Sequence, residues 1–94
     1  MPNRARKIDD NQNEIVKMLR RIGCSVAITS MVGKGHPDIL CGFRGKNFLF
    51  ELKDGNKTES RKRLTPDEEK FFNTWQGQVN KVESFEEILK IIQQ

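Results

Sequence analysis

The chain has 94 residues, of which 35% are hydrophobic and 32% charged, with a formal net charge of +4. That length fits one domain with a small core, so any site lies close to the surface. No apolar run approaches the ~20 residues of a membrane span, and the basic segment from Met1 to Lys7 has no apolar stretch behind it, so neither a membrane segment nor a secretory signal is expected.

Residues 1–8 are basic and read as a flexible arm, and residues 9–94 as one domain. Asp9 and Asp10 offer capping oxygens for a helix that runs to about Ile22 and stops at Gly23. Ile8, Ile15, Leu19 and Ile22 share one stripe of it, with Glu14 at the edge. Cys24 to Ser30 is β-branched and apolar, a strand. Gly33-Lys34-Gly35-His36-Pro37 breaks it, and a short strand from Asp38 to Cys41 follows. Gly42 to Gly45 reads as a turn. The strand from Asn47 to Lys53 is the clearest: its period of 2 puts Phe48, Phe50 and Leu52 on one face and Leu49, Glu51 and Lys53 on the other.

Asp54 to Arg63 reads as a polar, basic loop. Thr65-Pro66 opens a helix with a hydroxyl cap and proline in the first turn. Phe71, Phe72 and Trp75 have helical spacing and read as its core face, with Gly77 as its end. Gln78 to Val82 is a short strand, and Ser84 caps a last helix whose stripe is Phe85, Ile88, Leu89 and Ile92. The order α-β-β-β-α-β-α predicts an α/β (mixed α+β) fold, a small mixed sheet flanked by helices.

Charge is unevenly spread. Residues 1–21 hold six Lys/Arg against three acids and residues 53–63 five against two, whereas residues 64–94 hold three against six. Two basic segments on one domain suit a polyanionic partner. Cys24 and Cys41 form no metal-binding pattern with the single histidine, His36, and read as reduced core residues of a cytoplasmic protein.

The chemistry lies at the end of the clearest strand. Glu51 and Lys53 share a face, but Glu-x-Lys alone turns up by chance in roughly a third of chains this long. Asp38 adds the missing element. A hairpin around residues 42–45 brings the Asp38 end of one strand beside the Glu51 end of the next. Two carboxylates so close repel each other unless a cation lies between them, and their oxygens suit Mg²⁺ or Mn²⁺. Lys53 beside them can neutralise charge, hold a water or orient a phosphate.

Pro37-Asp38 followed by Glu51-Leu52-Lys53 resembles the PD-(D/E)xK nuclease superfamily. The fuller resemblance is to its virus-type replication–repair nuclease domain, VRR-Nuc: Glu14 on an early helix, Gly35-His-Pro-Asp38, and Phe48-Leu-Phe-Glu-Leu-Lys53 stand in that order over about residues 10–90. Archaeal Holliday junction resolvases are more distantly similar. The chain departs from the family at the helix after the Glu-x-Lys strand. Members often carry a glutamine early in that helix, whereas this one reads Asp67-Glu68-Glu69.

The resemblance implies a restriction-endonuclease-like αβββαβ core and a Mg²⁺- or Mn²⁺-dependent endodeoxyribonuclease. Its metal ligands would be Asp38, Glu51, the Leu52 carbonyl and Glu14, and Lys53 would position the attacking water. Arg4, Arg6, Lys7, Lys34, Lys57, Arg61, Lys62 and Arg63 are the candidate contacts to DNA, with His36 near the substrate and Ser30 near the metal. The stand-alone size implies a homodimer acting on Holliday junctions or related branched DNA, in a phage-encoded or other minimal form working in the cytoplasm. Neither a membrane nor a nucleotide cofactor is an expected partner. Competing expectations are a less selective flap or duplex nuclease, a DNA-binding subunit that keeps the fold without catalysis, and a small interaction protein whose basic loop is plain surface.

Overall fold

A computed structural model describes residues 11–94. The arm residues Arg4, Arg6 and Lys7 and the expected caps Asp9 and Asp10 lie outside the described residues. In chain order the elements are α1 (Gln12–Arg21), β1 (Ser25–Ile28), β2 (Ile39–Phe43), β3 (Lys46–Leu52), α2 (Glu59–Lys62), α3 (Pro66–Thr74), β4 (Val79–Val82) and α4 (Phe85–Ile92). The four strands form one sheet in the order β1-β2-β3-β4. The first three are antiparallel, and β4 runs parallel to β3. This is the mixed α/β fold that the sequence predicts. Among the described residues no helix is long and apolar enough to cross a membrane.

One face of the sheet holds the core. Ile39 and Cys41 of β2, Phe48, Phe50 and Leu52 of β3 and Val82 of β4 meet Ile15, Val16 and Leu19 of α1 and Ile88 and Ile92 of α4. Two apolar helix stripes on one apolar sheet face bury both surfaces at once. Cys24 and Cys41 are both buried here as free thiols. Burial, reinforced by Cys24, pushes the Cys41 thiol up to about 12, so it stays protonated.

Several boundaries differ from the sequence reading. Asn11 holds the N-cap position of α1, its side-chain amide reaching the carbonyls of Lys53 and Glu83 at 3.4 Å each. Ile22, expected in the apolar stripe, is exposed, because the helix has ended at Arg21 and Gly23 turns the chain away with φ +103°. The turn after β2 is tighter than residues 42–45. Phe43 pairs with Lys46, leaving Arg44 and Gly45 as a two-residue loop with φ of 54° and 80°. Two positive φ values in sequence match the twist of a hairpin, and the residue with a side chain takes the first. The basic loop contains the single turn α2, and α3 ends at Thr74, ahead of Gly77.

The largest correction concerns α3. None of its residues is buried, and Trp75 just beyond it is 46% exposed. Phe71, Phe72 and Trp75 are therefore not core residues. Phe71 and Phe72 are half-buried and Trp75 is exposed, so the aromatic side of α3 is only partly covered.

Candidate active site

The antiparallel register of β2 and β3 builds the centre of the site. Ile39 pairs with Phe50, and the amide of Asp38 also donates to the Phe50 carbonyl at 2.9 Å, one residue out of register, so the regular pairing ends there and Asp38 is held at the end of the ladder. Glu51, by alternation along β3, sits on the face opposite the core, and Asp38 lies close enough for its charge to raise the Glu51 carboxyl. Asp38 is fixed by its own carboxylate, whose Oδ2 accepts from the Leu52 amide at 2.8 Å.

The loop before Asp38 is shaped by its backbone. Gly33, Lys34 and Gly35 all have positive φ, 85°, 56° and 79°. At Gly35 an added methyl group would collide with the Asp67 carbonyl. Only glycine lets this loop press on the first turn of α3. Thr29 Oγ1 and His36 Nδ1 both meet the Pro37 carbonyl, at 2.7 and 2.9 Å.

That contact seats α3 and delivers a residue the sequence reading did not choose. Glu68 is the third residue of the helix. Its Oε1 accepts from the Thr65 amide at 2.9 Å, while Thr65 Oγ1 accepts from the Glu68 amide at 3.3 Å, a reciprocal capping box. The same Oε1 lies 3.0 Å from Lys53 Nζ. Glu51 Oε2 stands 3.5 Å from that ammonium. Glu68 occupies the helix start where the family often has glutamine. The Thr65-x-x-Glu68 spacing announces the cap, but nothing in the sequence says that the capping glutamate reaches the Glu-x-Lys strand.

Burial sets the electrostatics. Glu51 is 3% exposed and Lys53 8%. Desolvation, then the Asp38 and Glu68 charges, push the Glu51 carboxyl up to about 9, against a smaller opposing pull from Lys53. For Glu68, burial works against the charged form, but the Thr65 amide and Lys53 outweigh it and hold this carboxyl below its usual range. Glu51 Oε1 is buried with no hydrogen-bond partner.

Not every expected residue joins this centre. Glu14 is exposed on α1 and lines a separate depression with Asn11, Asp54 and Glu83. It is not among the groups that shift Glu51. Ser30 Oγ is buried without a partner near the end of β1. Lys34 is exposed beside Lys70 and Asp67. His36 meets the Phe71 ring edge-on at 5.3 Å. Arg61 and Arg63 are exposed and Lys57 half-buried. Lys62 differs from the expected DNA contact: its ammonium is held by Glu59 at 3.2 Å and Glu83 at 3.4 Å, which offsets its charge and folds it onto the surface.

Among the described residues no three histidine, cysteine, aspartate or glutamate side chains form a ready-made metal cluster. The pair Asp38 and Glu51 nonetheless fits a hard divalent cation. An unpartnered oxygen on a buried carboxylate is the group such an ion would satisfy. The Leu52 carbonyl lies in the chain between Glu51 and Lys53, as the resemblance requires.

No family model matches the sequence, and no curated protein is significantly similar to it. A solved structure described as a VRR_NUC domain is similar, with 27% identity, a TM-score of 0.57, and coverage of 87% of this chain and 89% of that one. In fold the chain is a nuclease-class α/β domain. Within that class the likeness to a VRR_NUC domain supports the resemblance that the order of Glu14, Gly35-His-Pro-Asp38 and Glu51-Leu-Lys53 implied.

Proposed function

We propose that the domain is a divalent-metal-dependent endonuclease that hydrolyses DNA phosphodiesters, working as a homodimer on four-way junctions or related branched DNA. The observation that carries this reading is Asp38 beside Glu51, with a buried, unpartnered Glu51 oxygen and Lys53 alongside. A buried carboxylate pair costs stability, and a divalent ion offsets that cost.

Asp38, Glu51 and the Leu52 carbonyl would hold Mg²⁺ or Mn²⁺. When bound, the ion lowers the pKa of water and offsets charge on the phosphate. Lys53 supplies the rest. Its ammonium, kept in place by Glu68, orients a water for in-line attack on phosphorus. The bond to the 3′ oxygen breaks, leaving a 5′-phosphate and a 3′-hydroxyl. Lys34, Lys57, Arg61 and Arg63 hold the backbone through charge, which reads shape and not sequence. Exposed Ile28, Met31 and Val32, on the edge strand β1 and just after it, support pairing with a second copy. Two buried thiols without a disulfide are in keeping with action in a reducing cytoplasm.

One gel tests the reading. End-labelled four-way junction and matched linear duplex are incubated with protein in Mg²⁺ and in Mn²⁺, with Glu51→Ala alongside. Paired symmetric cuts near the branch, absent in the variant, are the expected result. Equal cutting of both substrates removes the junction preference. Binding of the junction with no cutting in either ion replaces the nuclease with a DNA-binding subunit.

A further inference from the structure

The sheet face that carries Glu51 continues one pair along the hairpin as Leu40 opposite Leu49. Successive pairs on one face are about 7 Å apart along the strand. A cavity of about 340 Å³ opens over the leucines, walled by His36 and Trp75 and rimmed by the amides of Asn47 and Gln78. We propose that this cavity takes an unpaired nucleobase of the DNA strand whose phosphodiester lies at Asp38 and Glu51. The proposal rests on the nuclease reading of the neighbouring site and adds what that site selects.

The chemistry of the walls fits a base and little else in DNA. A nucleobase has two apolar faces and a polar edge. Leu40 and Leu49 give an aliphatic floor, and Trp75 gives a flat ring. Gln78 spends its Nε2 on the Asn47 carbonyl at 2.9 Å, which leaves its amide oxygen to accept from a base edge. Trp75 is also held ready. Its ring stacks on Phe71 at 4.8 Å and 17°, and Phe71 in turn meets His36. A ring already fixed loses little entropy on binding. Lys34 and Lys70 line a second depression with Phe71 and Asp67 and add positive charge for the strand that carries the base. A base paired in duplex cannot reach the cavity without leaving its stack, so the cavity favours DNA with unpaired bases near the cut.

Trp75 is the single tryptophan of the chain, so its emission reports this cavity alone. The measurement is made in chelator, where cleavage plays no part, with three probes of equal phosphate number: single-stranded oligothymidine, a gapped duplex and a blunt duplex. The expected result is quenching by the first two and little change with the third. Trp75→Ala should weaken binding of labelled gapped DNA roughly 5- to 150-fold, the range for losing one stacked base, with a far smaller loss on blunt duplex and substantial recovery in Trp75→Phe. Circular dichroism checks that the variants are folded, and the wild-type emission needs no variant. Equal quenching by all three probes, or unchanged affinity in Trp75→Ala, overturns the proposal even if the protein cuts DNA. Emission that shifts with protein concentration in the absence of DNA gives the cavity to a second copy and overturns it as well. Quenching by unpaired DNA in a protein that never cuts leaves the cavity assignment standing and removes the nuclease.

Discussion

Glu51 carries the sharpest expectation at the scale of single residues. Its ordinary value is 4.5 and its folded value about 9. Below pH 4.5 both folded and unfolded chains hold the proton, and stability is unaffected. Between 4.5 and 9 the unfolded chain releases it while the folded chain keeps it, so stability falls as pH rises, by up to about 1.4 kcal/mol per pH unit. Glu68, held low, acts in the opposite sense and loses its contribution as acid protonates it. Chemical denaturation of metal-free protein from pH 5 to 9 should show the decline, and Glu51→Gln should flatten it. Mn²⁺ at a hundred times its Kd should raise the wild type by about 2.7 kcal/mol and leave Glu51→Gln nearly unmoved. A flat profile for both proteins would mean that Glu51 is not held protonated. Lys53→Ala should slow cleavage about 10²–10⁴-fold with little change in junction affinity, a loss of the size seen for a positioned catalytic group. A rate within a few-fold of wild type would remove that role.

At the scale of elements, the contact between the glycine loop and α3 decides whether the site is assembled. Gly35→Ala introduces both an unfavourable φ and a collision with Asp67, and should cost roughly 1–3 kcal/mol. It should also lower the cleavage rate by loosening Glu68 from Lys53. Thr65→Ala removes one half of the capping box and should cost about 1 kcal/mol, a drop of roughly 4–8 °C in Tm for a domain this size. Thr65→Asn should recover most of it. Thermal melts of the three variants with activity assays separate loss of the helix from loss of the ion pair. The order of elements apart from the single turn α2, the face of β3 and the caps Thr65 and Ser84 were legible in sequence, because period and capping chemistry are local. Asp38 beside Glu51 was legible too, since a short hairpin fixes register. The reach of Glu68 to Lys53 and the partly open side of Phe71 and Trp75 were not. Both depend on how α3 docks, which helical spacing alone does not record.

At the scale of the whole molecule, binding is a matter of distributed charge. If a dimer contacts six to ten phosphates, affinity should fall about 10³–10⁵-fold between 50 and 200 mM salt. Lys62 should add little to that slope, since Glu59 and Glu83 already hold it, whereas Arg61→Ala and Arg63→Ala should each lower the slope by about one. Filter binding across a salt series reads both. A slope near zero would argue against phosphate contacts altogether.

The mixed direction of the sheet also fixes an order of assembly. Asp38 meets Glu51 through an antiparallel hairpin that closes over a two-residue loop. Glu68 arrives only when the chain has crossed through α2 and α3 and laid β4 parallel to β3. Local pairings close before distant ones, because the shorter loop loses less entropy. During folding the two acids therefore come together before the glutamate that restrains Lys53 has docked. Refolding in Mn²⁺ should speed an early phase, and Gly35→Ala should slow only a later one.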